Sequence, residues 1–232
     1  MTVTSTADLS RLDILPPLAR GGHKRTDNVA CIMEAVAFVA GERWSDHPAC
    51  ACPVISEFLR SWNDALPDSE RDALLRPLVT LMVGTRSTEA VERRRAMMAT
   101  DWLIREYAPA WLRSAGLAVQ ADALAVLPEI TDLAQYLPLM PVLNAVRNDA
   151  LAARAAAGVA AENDAWVHAG NATRATAGDA ARAAAGSIAG AAAGDAAWVA
   201  AQAVAKGALM VTTASLQQSA LVLVHRMIGA TA

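Results

Sequence analysis

The residues best suited to chemistry are the three cysteines of the chain, Cys31, Cys50 and Cys52, with His47 between them. Thiolate and imidazole are common ligands of structural zinc, which takes four donors in a tetrahedron. A helix carrying Cys31 and a following loop with the pattern His-x-x-Cys-x-Cys would supply all four. The spacing therefore makes Cys31, His47, Cys50 and Cys52 candidate ligands of a metal site, with Zn²⁺ as the candidate cofactor.

Two other interpretations of these residues stay open. Free cysteines are commonly small buried core residues, and His47 would then only hydrogen-bond its own loop. Alternatively, Cys50 or Cys52 would form a nucleophilic pair with His47, although sequence neighbours seldom meet in the geometry that catalysis needs. Glu34 lies three residues after Cys31, on the same side of a helix, and is a candidate partner of His47 or a further ligand.

The remaining charged motifs do not indicate a site. The run Glu92–Arg95 spreads around a helix and is interpreted as a solvated face. The chain has no phosphate-binding loop, no glycine-rich dinucleotide turn and no Glu-x-x-His pair. Its net charge of −3 gives no clear indication of nucleic acid as a partner.

Features of location point to the cytoplasm. No stretch of about 18 large apolar residues predicts a membrane span. The amino terminus lacks the basic and apolar regions of a signal peptide. An odd number of cysteines predicts no disulfide framework, which fits a reducing compartment. We therefore expect a cytoplasmic protein with no membrane span.

Apolar residues recur at helical spacing along most of the chain, and proline or glycine stands at each expected helix end. Thr26 or Asp27 is the expected cap of the first helix, and Gly41 its left-handed stop. Pro77 is expected to kink or split its helix. The pattern predicts an all-α fold, a multi-helix bundle without a sheet. The expected helices lie near 27–40, 54–66, 69–83, 88–107 and 208–228.

The second half of the chain is unusually rich in alanine, which makes up half of residues 150–205. Alanine is the strongest helix former, whereas each interior glycine costs about 1 kcal/mol relative to it. We expect a closely packed helical region, broken at least once at a glycine. The sequence does not establish whether the regular spacing of its glycines is meaningful; these are Gly170, Gly178, Gly186 and Gly194.

These patterns divide the chain into three parts. Residues 1–26 are expected to be an amino-terminal tail, and residues 27–148 a helical head that carries the Cys/His loop. Residues 149–232 are expected to contain the alanine-rich helical region and a final apolar helix.

Three motifs carry a resemblance over about residues 27–117. These are CIMEAVAFVAGERWSDHPACACPVI, VGTR at Val83–Arg86 and PAWLRSAGL at Pro109–Leu117. Together they resemble an uncharacterised helical protein type of GC-rich bacteria and their phages. That type combines a Cys…DHPxCxCP segment with a variable alanine-rich tail. The resemblance implies no activity and assigns no active-site role.

Two functions from different classes follow as expectations. The leading one is a non-catalytic helical interaction or assembly protein with a structural Cys/His loop. Because alanine buries little area, the alanine-rich and carboxy-terminal helices would then join subunits in a homo-oligomer. The alternative is a metal-dependent or thiol enzyme that acts at the cluster of Cys31, His47, Cys50 and Cys52.

Overall fold

The computed structural model describes residues 7–156, 188–196 and 206–231. Within these ranges the chain is helical and forms no strand or sheet, which confirms the all-α prediction. The chain divides into two units, Met1–Glu92 with Ile228–Ala232 and Arg93–Met227. The sequence-based boundaries, after residues 26 and 148, do not coincide with this division.

The helices are named here in chain order. Their bounds are α1 Ile32–Val39, α2 Pro53–Ala65, α3 Asp68–Leu75, α4 Val79–Met82, α5 Glu89–Trp102, α6 Ala108–Ser114, α7 Ala118–Ala125, α8 Tyr136–Ala156, α9 residues 188–196 and α10 Lys206–Ile228.

The centre of the first unit is α1, of which every residue is buried. It packs against α2 and α4, and it ends before Gly41, whose φ of 72° confirms the expected left-handed stop. The helix begins later than expected, because Thr26 and Asp27 belong to a separate 3₁₀ turn that ends at Asn28 in the left-handed conformation. The cap of α1 is Cys31.

An amino-terminal strap, residues 8–30, lies along this core. Its backbone N–H groups donate to side chains on the helices, from Leu18 to Asp72 at 3.1 Å and from Gly21 to Asp64 at 2.9 Å. Leu15 and Leu18 are buried within the first unit. The segment expected to be an amino-terminal tail therefore contributes buried residues to the first unit.

The end of α2 is closed by a buried arginine. The Arg71 guanidinium donates from Nε to the carbonyl of Asn63 at 2.8 Å and from Nη2 to that of Leu66 at 2.5 Å. Only 2% of Arg71 is exposed. It thus supplies donors to carbonyls at the end of the helix, which have no partner within it.

Pro77 divides the next helical stretch, as expected. A 3₁₀ turn, Arg76–Leu78, separates α3 from α4. Because proline has no N–H group and its ring crowds the preceding turn, a continuous α-helix is unfavourable at this point.

In the second unit, a π-helical segment, Leu103–Tyr107, joins α5 to α6. The N–H of Ala108 donates to the carbonyl of Leu103, five residues back. Pro109 follows directly and offers no N–H to the carbonyl of Arg105, so the wider turn fits its presence.

Apolar and polar residues on α10 fix how this helix packs within the second unit. Leu216, Ala220, Leu223 and Met227 are buried at alternating spacings of four and three residues. Polar contacts recur seven residues apart beside this seam. They join Thr212 to Ser114 at 2.9 Å, Ser219 to Trp102 Nε1 at 2.6 Å and Arg226 to Glu129 at 3.4 Å.

Most of the alanine-rich stretch lies outside the described residues. This includes the expected break at a glycine and the positions Gly170, Gly178 and Gly186. Residues 188–196 are helical and mostly buried, and they include Gly194. Among the described residues, no helix is long and apolar enough to cross a membrane.

Candidate functional site

The Cys/His loop, residues 42–52, is closed by the carboxylate of its first residue, Glu42. The two oxygens of Glu42 accept the backbone N–H of Ala49 at 2.6 Å and of Cys50 at 2.8 Å. Hydrogen bonds to a charged acceptor are stronger than those between neutral groups. Glu42 therefore fixes the backbone of the loop.

Three further contacts tie the loop to neighbouring elements. The N–H of Cys52 donates to Thr85 Oγ1 at 3.0 Å, and the N–H of Arg86 donates to the carbonyl of Cys50 at 2.9 Å. Arg60, on α2, donates from Nη1 to the carbonyl of Asp46 at 2.7 Å. The backbone of the loop is thus held at its middle and at its carboxy-terminal end.

Cys31 and Glu34 form a capping box at the start of α1. The Cys31 Sγ accepts the N–H of Glu34 at 3.4 Å, and the Glu34 carboxylate accepts the N–H of Cys31 at 2.7 Å. This is the reciprocal arrangement usually made by serine or threonine with glutamate three residues later. Here a thiol takes the place of the hydroxyl.

The buried Glu34 carboxylate also holds a histidine of the strap, His23. Its Oε1 accepts the N–H of His23 at 2.6 Å, and its Oε2 lies 3.2 Å from His23 Nδ1. Trp44 Nε1 in turn donates to the carbonyl of His23 at 2.8 Å. Glu34 was one candidate partner of His47, but its histidine partner in the structure is His23, which links the strap to the Cys/His loop.

His47 faces solvent, with 68% of its side chain exposed. Its Nδ1 lies 2.7 Å from Asp46 Oδ1, and its backbone N–H donates to Ser45 Oγ at 3.0 Å. When Nδ1 carries the proton, the carboxylate fixes the imidazole tautomer and leaves Nε2 as an acceptor.

The three thiols are free and buried. Burial raises the pKa of the Cys31 thiol to about 12, since the charged form loses its hydration. Burial also raises the pKa of the Cys50 thiol to about 11, and its hydrogen bond to the Glu42 carboxylate acts in the same direction. Both thiols are therefore protonated near neutral pH, the unreactive form.

The four expected ligands occupy different environments. Cys31, Cys50 and Cys52 are buried, whereas the His47 imidazole is exposed. Over the described ranges, no three His, Cys, Asp or Glu side chains are grouped so that they would hold a metal ion. The metal site at these four residues stays a prediction.

Sequence reasoning missed the roles of His23 and Glu42. Glu34 three residues after the cap was a detectable signal, because a short polar cap followed by glutamate at that spacing marks a helix start. The partners of Glu42 and His23 carry no such local pattern, since they depend on how the loop and the strap fold back.

Comparisons of this chain with models of known protein families, with curated proteins and with solved structures find no match.

Proposed function

We propose that the chain is a non-catalytic helical interaction and assembly protein in which the Cys/His loop is a structural element. The proposal rests on one observation: the polar side chains of this site form hydrogen bonds with backbone N–H groups. Glu34 and Glu42 hold backbone N–H groups, and Cys31 caps a helix. Groups that a thiol enzyme would use for chemistry serve here to position the chain.

The surface best suited to assembly is the outer side of α10. Met210, Val211 and Val222 expose 72%, 71% and 59% of their area. No charged residue occurs between Lys206 and His225. A helix face that is solvated on its own usually carries charges, so this surface favours association with a second copy of the chain.

Light scattering coupled to size-exclusion chromatography tests the assembly. We expect the full chain to be a homo-oligomer and the double variant Val211→Glu/Val222→Glu to dissociate. Val119→Glu is the matched control, because Val119 is 79% exposed on α7. A monomeric wild-type chain, or equal dissociation by the control, would contradict assembly through α10.

The exposed pair of Asp46 and His47 supports an alternative. A carboxylate that orients an imidazole is a common arrangement behind a metal ligand or a general base. In this alternative the chain is a metal-dependent or thiol enzyme acting at Cys31, His47, Cys50 and Cys52.

Metal analysis of the purified chain and of Cys50→Ser tests whether these residues hold a metal. Stoichiometric zinc that is lost in the variant supports the enzyme or a structural zinc site. Wild-type protein without zinc, even after incubation with it, would exclude zinc at these residues.

A further inference from the structure

Several cations close together in the first unit lack an acidic partner. Lys24, Arg25 and Arg43 are exposed, and none forms an ion pair or a side-chain hydrogen bond within the described part of the chain. Arg20 is likewise exposed and unpaired in the described part of the chain, whereas five other arginines of this unit are paired with carboxylates. These are Arg11, Arg60, Arg71, Arg76 and Arg86.

Aromatic contacts bring these cations to one surface. Arg25 Cζ lies 5.2 Å from the centre of the Phe38 ring, and the Trp44 ring packs edge-on against Phe38 at 6.3 Å. Trp44 follows Arg43 in the chain, and His23 precedes Lys24. The hydrogen bond from Trp44 Nε1 to the carbonyl of His23 therefore brings these two segments together. We call Lys24, Arg25 and Arg43 the basic surface.

Among the described residues, the neighbouring acids form no ion pair with Lys24, Arg25 or Arg43. Asp27 accepts the backbone N–H of Lys24 at 2.8 Å and lies 3.4 Å from Thr26 Oγ1. Asp8 is paired with a different cation, Arg11, at 3.2 Å. Arg11 also lies over the Phe38 ring, 5.5 Å from its centre.

We propose that the basic surface binds an acidic segment of a partner protein, with Arg25 as its central contact. Arginine held against an aromatic ring loses less freedom on binding and presents a planar fork that matches carboxylates. Arginine and tryptophan are also the residues most often found at the energetic centre of interfaces. This inference rests on the proposed interaction function and names the chemistry of the partner.

A short acidic segment fits better than a nucleic acid. The basic surface has few cations, whereas binding of a nucleic acid draws on many phosphate contacts along an extended backbone. Three guanidinium and ammonium groups match a few adjacent carboxylates.

The test is fluorescence anisotropy of a labelled decaglutamate peptide with the full chain at low salt. We expect saturable binding that weakens at high salt, and a loss of about threefold or more in Arg25→Gln and in Arg43→Gln. Arg147→Gln is the charge-matched control, since Arg147 is an exposed cation of α8. It should leave the affinity unchanged.

Three results would overturn the proposal. These are no binding of decaglutamate by the wild-type chain, an equal loss in Arg147→Gln, and binding of a labelled thymidine decanucleotide in its place. Arg43 forms no described side-chain contact, so Arg43→Gln should remain folded and the test does not depend on one variant. Peptide binding can be measured for a monomer or an oligomer. A monomeric chain that binds the peptide would therefore contradict the proposed assembly but not the proposed binding of an acidic segment.

Discussion

At the scale of single residues, burial decides what the cysteines do. A thiol whose pKa is raised from 9.0 to about 12, as for Cys31, has about a thousandfold less thiolate at pH 8. We therefore expect Cys31 and Cys50 to react slowly with a thiol reagent in the native chain and rapidly in denaturant. Either thiol reacting at the rate of free cysteine under native conditions would show that its environment is not the one described.

The cap of α1 allows a sharper substitution test at Cys31. Alanine removes the acceptor for the Glu34 N–H, so we expect Cys31→Ala to lower the free energy of unfolding by about 0.5–2 kcal/mol. Cys31→Ser keeps an acceptor of the preferred type and should lose less. Denaturant unfolding measures both variants, and a serine variant less stable than the alanine variant would contradict a capping role.

At the scale of elements, Arg71 is expected to matter far more than its surface counterparts. Arg71→Met leaves the carbonyls of Asn63 and Leu66 without this donor, and we expect a loss of at least about 2 kcal/mol. Arg113→Met is the control, because Arg113 forms an exposed ion pair with Asp122 at 2.8 Å and should cost less than about 1 kcal/mol. Similar losses in the two variants would argue against a capping role for Arg71.

The polar contacts of α10 make a second prediction at this scale. The side chain of Trp102 is buried, and its Nε1 donates to Ser219 Oγ. Ser219→Ala removes this acceptor and should destabilise the second unit by about 1–3 kcal/mol. Ser215→Ala, at an exposed position of the same helix, is the control. Chemical denaturation followed by circular dichroism compares them, and equal stabilities would mean that this contact contributes nothing.

The helices were more predictable than their ends and contacts. Periodicity placed α10 to within two residues at its start, and Pro77 marked a real division. The predicted cap of α1 was wrong, because Thr26 and Asp27 belong to a separate turn that ends at Asn28 in the left-handed conformation. Composition does not reveal such a turn. Arg94 is exposed, as expected for the run Glu92–Arg95, whereas Arg95 is buried and donates from Nε to the carbonyl of Met227 at 2.7 Å.

The candidate site was less predictable because its bonds connect distant parts of the sequence. The clustering of Cys31, Cys50 and Cys52 correctly marked a buried region, and helical spacing correctly placed Glu34 beside Cys31. The strap contributes His23, and Arg60 reaches the loop from α2. A spacing rule does not tell which backbone groups a carboxylate or guanidinium will meet after folding.

At the scale of the whole molecule, the strap makes the first unit depend on its amino-terminal segment. Deleting residues 1–18 removes buried Leu15 and Leu18, and we expect a loss of at least about 3 kcal/mol or failure to fold. Deleting residues 1–6 is the control. Thermal unfolding followed by circular dichroism measures the difference, and equal melting temperatures for the two deletions would show that the strap is dispensable.

The same strap imposes an order on synthesis at the ribosome. Arg76 donates to the carbonyls of Leu15, at 3.3 Å, and Pro16, at 3.0 Å, so these groups are made some sixty residues before their partner. At about 5–20 residues per second, that interval is about 3–12 s, during which the carbonyls of Leu15 and Pro16 have no contact with Arg76. The strap therefore completes its hydrogen bonds only after Arg76 has left the exit tunnel.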